Sequence, residues 1–121
     1  DWPHLRKVVG HDESLLRDIV AAFCEETPQI WLKLQQAGTA GHREVFERAM
    51  HTLKNSLGTV GAAESRDLAL RLETQLRETK LIPPPEIYQP LGAAVFALVA
   101  ELTHYLRTQP APATINTMPR P

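Results

Sequence analysis

A single cysteine, Cys24, occurs in the 121 residues of this chain, which excludes an intrachain disulfide framework and fits a reducing compartment. The cytoplasm is the expected location, including the cytoplasmic end of a membrane-bound sensor. Cys24 follows Phe23 inside a helical apolar pattern, so it reads as a small core or boundary residue, not a catalytic thiol. There is no basic excess either. Thirteen Lys and Arg stand against fourteen Asp and Glu, a net charge of −1, which gives no footprint for nucleic acid. The apolar run "LGAAVFALVAEL" falls well short of the roughly 20 residues that span a bilayer, and no signal peptide is visible, so no direct membrane contact is expected. The first residue is Asp1, as suits a domain excised from a larger protein. No glycine-rich phosphate loop occurs, nor any HExxH pattern or nucleophile elbow around Ser14, Ser56 or Ser65. The other histidines, His4, His11, His42 and His104, lack an i, i+4 partner, so no metal site is expected.

Strand alternation is also missing, and what remains is helical periodicity throughout. A short first segment, "DWPHLRKVVG", offers Leu5, Val8 and Val9 on one face and ends at Gly10. Asp12 is placed to cap a helix with the inward stripe Leu15, Leu16, Ile19, Val20 and Phe23. Thr27-Pro28 predicts a kink or a restart before Ile30, Trp31 and Leu34. "AGTAG" reads as a loop. The next helix, from about His42, turns Val45, Phe46, Ala49, Leu53 and Leu57 inward and breaks at Gly61. Another runs from about Ala62 to Thr79 with Leu68, Leu72 and Leu76. "KLIPPPE" separates it from a last helix with Ile87, Leu91, Val95, Leu98, Leu102 and Leu106, whose start is blurred by Pro90. The expected fold is all-α: an antiparallel four-helix bundle over residues 1–107, with the short N-terminal helix packed on one end. Residues 108–121, rich in Pro and Thr, read as a disordered tail or linker.

One helix face breaks the usual pattern. With Ala49, Leu53 and Leu57 inward, about 100° per residue turns His51 to solvent, and Lys54, Asn55 and Gly58 share its face. Glu47 extends the stripe by a turn. Glycine inside a helix costs about 1 kcal/mol relative to alanine, which is easier to explain if something approaches the backbone at Gly58. An exposed neutral imidazole is a good nucleophile. A phosphoryl group on its Nε2 would bring negative charge beside the Lys54 ammonium, and phosphoryl transfer needs chiefly positioning and charge neutralisation. An ordinary surface histidine beside an ordinary lysine remains the competing reading of this spacing.

"HTLKNSLGTVGA" resembles the signature of histidine-containing phosphotransfer domains, His-x-Leu-Lys-Gly-Ser followed by Gly, at His51, Leu53, Lys54, Ser56, Gly58 and Gly61-Ala62. "LRKVVGHDESLLRDIVAAFCEETPQIWLKLQQA" resembles that family's first long helix with its Thr-Pro break, and "LALRLE" fits the helix after the signature. The resemblance implies a four-helix bundle that carries a phosphoryl group on Nε2 of His51, steadied by Lys54. Donor and acceptor would be receiver domains of response regulators or of a hybrid histidine kinase, the origin the resemblance suggests. Mg²⁺ would belong to the receiver, so no cofactor is expected on this chain. Asn55 departs from the usual glycine and bears on partner choice. Asn55, Gly58, Glu47 and Arg77 are expected at the partner-facing surface, Arg77 as an added cation. Some members have glutamine where this chain has Glu73. A carboxylate would oppose incoming negative charge, so no role is assigned to Glu73. Kinase machinery is absent, and Thr52 stands where the dimerisation domain of histidine kinases has an acidic residue. The rival function is a helical interaction module with no phosphotransfer.

Overall fold

The computed structural model describes residues 5, 7, 9, 10 and 12–108. Val8 and all of the expected tail except its first residue, the helical Thr108, lie outside the described residues. Four helices make up the fold: α1 Glu13–Ala40, α2 Arg43–Thr59, α3 Ala63–Thr79 and α4 Pro85–Thr108. Helix α1 packs on α2 and α4, and α3 packs on α2 and α4, which closes a four-membered ring. Only residues 41–42, 60–62 and 80–84 connect them. Connections that short force packed neighbours to run in opposite directions, the antiparallel bundle expected. Leu5 and Val9, from the segment before α1, are buried with the bundle core.

The Asp12 carboxylate accepts from the backbone N–H of Leu15 at 3.0 Å and starts α1 as expected. Helix α1 then runs unbroken through Thr27-Pro28. Proline inside a helix costs about 3 kcal/mol, but burying a large apolar side chain returns about 1.5–3 kcal/mol, and Trp31 and Leu34 beyond the proline are both buried. The second half of the helix therefore stays in register with the stripe Leu16, Val20, Phe23, Thr27. "AGTAG" is likewise helical up to Ala40; only Gly41, at φ 76°, leaves the helix, and the backbone N–H of His42 donates to the Ala37 carbonyl. Gly38 stays bare inside the helix, since the Tyr88 hydroxyl crowds the place a Cβ would take.

Two side chains expected inward are not. Leu15 is 44% and Ile87 45% exposed, since each lies one residue, about 100°, before the buried stripe that starts at Leu16 or Tyr88. Val45, Ile19, Leu68, Leu98 and Leu106 are half-buried against the core, and Met50 is fully buried beside Ala49. At the end where α1 stops and α2 and α4 begin, Tyr88 takes Trp31 and Phe46 edge-on, with ring centroids 6.2 and 5.2 Å away. Trp31 covers the bare Cα of Gly92, where no side chain would fit. Gly61, at φ 74°, breaks the chain between α2 and α3 as expected, and Lys80, at φ 62°, ends α3 before the proline run.

Candidate functional site

Burial of Phe46, Ala49, Met50, Leu53 and Leu57 fixes the rotation of α2. That rotation leaves the His51 side chain half exposed over α3. Its Nδ1 lies 2.7 Å from Oε2 of Glu73, a carboxylate that is fully buried on the Ala69, Leu72, Leu76 face of α3. Buried charges survive only when paired, and Glu73 has three partners. Arg77 donates from NH2 to Oε2 at 2.9 Å. Lys54 Nζ stands 2.9 Å from Oε1, off the line of a directed hydrogen bond, so this oxygen is satisfied by charge rather than by an aligned donor. His51 is the third. Burial pushes the Glu73 carboxyl up, but Lys54, His51 and Arg77 together outweigh it and hold it below the ordinary carboxylate range.

An ionised carboxylate can only accept, so Nδ1 of His51 carries a hydrogen, and in the neutral ring the lone pair is on Nε2, on the side away from Glu73. A second layer extends the network. Arg77 Nε donates to Glu47 Oε2 at 3.2 Å, and Arg43 NH1 lies 3.7 Å from Glu47 Oε1. A shallow hollow of about 320 Å³ opens beside the imidazole, lined by Glu44, Glu47, Arg48, His51, Glu73 and Arg77. A larger groove, about 580 Å³, lies next to it between α1 and α2 with Ile30, Val45 and Ala49 in its lining. Arg48 borders both.

Three of the six residues singled out in the sequence, His51, Lys54 and Arg77, therefore meet around one carboxylate, and a fourth, Glu47, joins them through Arg77. Lys54 is not the freely exposed cation the helical wheel suggested: its side chain is only 16% exposed and turned onto Glu73. Asn55 is exposed one turn beyond His51. Gly58 is half covered from within the chain, because a Cβ there would come 3.2 Å from Cδ of Arg66 on α3. Its missing side chain makes room for Arg66, where the sequence suggested an open approach for a partner.

Glu73 is the residue the sequence reading passed over. The signal was present: position 73 falls on the inward stripe of α3 with Leu72 and Leu76, and an acid there needs cations. The objection that a carboxylate repels a phosphoryl group fails because Lys54 and Arg77 already neutralise it. Cys24 is half-buried, its thiol 3.9 Å from the Val99 carbonyl, in keeping with a boundary residue. Among the described residues no group of three or more His, Cys, Asp or Glu is placed to hold a metal ion, and no helix is long and apolar enough to cross a membrane.

No match is found among curated proteins or among solved structures. A family model described as Hpt domain matches residues 18–109, a span that holds all of α2, α3 and α4 and most of α1. Hpt domains serve phosphotransfer in two-component phosphorelays and interact there with receiver domains. With a matched span that covers most of the chain and contains the whole cluster around His51 and Glu73, this protein belongs to the Hpt domain family.

Proposed function

We propose that His51 is the phosphoryl acceptor and donor of this domain, taking the group from an aspartyl phosphate on one receiver domain and passing it to an aspartate on another. The observation that carries this reading is the 2.7 Å contact between Nδ1 and the buried Glu73 carboxylate. It fixes the tautomer that leaves the Nε2 lone pair outward. Nε2 attacks the phosphorus, the P–O bond to the receiver's aspartate breaks, and the aspartate leaves as a carboxylate. No proton has to move. The ring acquires positive charge as the N–P bond forms, and Glu73 faces that charge across the Nδ1 hydrogen, much as the buried aspartate of a serine protease triad stabilises its imidazolium. The same charge makes nitrogen a good leaving group in the return step.

Lys54 acts indirectly in this account, by cancelling the Glu73 charge that would otherwise repel the phosphoryl group. Arg77 shares that task and is itself held by Glu47. Asn55 and Glu47 form the rim that a receiver covers. The Mg²⁺ of the reaction belongs to the receiver. The test is incubation with phosphorylated receiver domains, comparing wild type with His51→Gln. Wild type is expected to acquire an acid-labile, alkali-stable label that the variant, still folded, does not. A folded wild type left unlabelled by a full panel of receivers would remove the reading and favour an interaction module.

A further inference from the structure

Phosphorylation brings about −2 charge to Nε2, and the cations nearest His51 are not equally able to meet it. Lys54 is held against Glu73 and largely covered. Arg77 is shared between Glu73 and Glu47, and Arg43 is committed to Glu47. Withdrawing Lys54 or Arg77 would strip a buried carboxylate of its counter-charge, which is strongly unfavourable. Arg48 differs from all three. It is exposed, and its guanidinium has no ion pair or hydrogen bond among the described residues. It stands three residues before His51, the spacing at which helix side chains are neighbours. Side chains on a helix lean toward its N-terminus, so the imidazole tilts over the turn of Glu47 and Arg48 rather than towards Asn55. Arg48 also lines the hollow that holds the His51 ring.

We infer that Arg48 is the residue that binds the phosphoryl group on His51, its planar fork matching two phosphoryl oxygens, while Lys54 and Arg77 remain with Glu73. This rests on His51 being the acceptor. It adds a direct phosphoryl ligand that enters the site from the turn before the histidine.

The experiment uses two donors on the whole chain: a phosphorylated receiver, and phosphoramidate, a small donor that needs no protein surface. Wild type, Arg48→Ala and Arg48→Lys are compared for labelling rate and for the lifetime of the isolated phosphohistidine, with thermal unfolding as the folding control. Arg48→Ala should lower labelling by phosphoramidate and shorten the lifetime by about fivefold, the upper range for an exposed charge pair. Arg48→Lys should recover part of both, and the unfolding midpoint should not move. Wild-type behaviour of Arg48→Ala with phosphoramidate overturns the inference. If its loss shows only as a raised KM for the receiver, Arg48 is a docking residue and the inference also falls. A wild type labelled by neither donor removes the His51 reading itself, a failure distinct from that of Arg48.

Discussion

Two clusters tie the helices of this bundle, and they are built from opposite materials. At one end Trp31, Phe46 and Tyr88 join α1, α2 and α4 through edge-on rings and a glycine that lets Trp31 seat on α4. Halfway along α2, Glu73 joins α2 to α3 through His51, Lys54 and Arg77. The aromatic cluster removes apolar surface from water and stabilises without regard to small displacements. The Glu73 cluster recovers, through three pairings, what it costs to bury a carboxylate, and so adds little net stability. What it adds is direction, because a carboxylate 2.7 Å from Nδ1 allows one ring orientation and one tautomer. Packing holds the bundle together, and the buried ion sets the imidazole.

The sharpest break of that contrast is Trp31→Ala. It empties the space against Gly92 and should cost about 3–5 kcal/mol, as large-to-small changes at buried aromatics do, measured by urea unfolding. Labelling of His51 per folded molecule should stay near wild type, because no atom of Trp31 belongs to the Glu73 network. A selective loss of labelling with stability intact would mean that the two clusters are coupled.

Glu73→Gln is expected to do the reverse. Glutamine keeps the volume and an oxygen to accept from Nδ1, but not the charge. Arg77 and, less easily, Lys54 lie near enough to the surface to turn their heads to water, so the stability loss should be only about 1–3 kcal/mol. The transfer rate should fall at least tenfold, since the imidazolium that forms loses its counter-charge. Acid titration separates the same two parts. Because the folded Glu73 carboxyl is held below its ordinary value, its pairing contributes stability above the unfolded carboxylate range, near pH 4.3. That contribution is lost as the pH falls from there through the folded value. Wild type should therefore lose more stability than Glu73→Gln over that acidic interval. Parallel curves would show that Glu73 titrates normally and that its partners do not hold it.

The bundle was legible in the sequence wherever a stripe was apolar and regularly spaced. Asp12, Gly61 and the proline run ended or began helices where capping chemistry says they should. The errors share one cause. At Thr27-Pro28 and at "AGTAG" local chain preference was read as decisive, but Trp31, Leu34 and Ala37 are buried by the other helices and carry α1 through both. Leu15 and Ile87 failed by a single residue, which a helical wheel without a partner helix cannot resolve. In the site, α2 could be read because one helix places His51, Lys54 and Asn55. For Glu73 only the need for cations could be read, from its place on the inward stripe of α3; its role arises from two helices meeting, and no spacing along the chain encodes which carboxylate of α3 faces which histidine of α2.

Asn55 tests the edge of that network with the smallest change. It stands exposed one turn past His51, where the family signature usually has glycine, and its side chain joins none of the Glu73 contacts. Asn55→Gly should weaken the helix by only about 0.3 kcal/mol, the gap between the two residues' helix propensities. Removing the carboxamide clears the surface beside the imidazole, so the KM for receiver domains should fall and the panel of receivers that label the domain should widen. Labelling by phosphoramidate should not change, because that donor covers no protein surface. An effect equal for both donors would mean that Asn55 acts on the imidazole itself, and the division between an inner network that orients the ring and an outer rim that admits the partner would have to be redrawn.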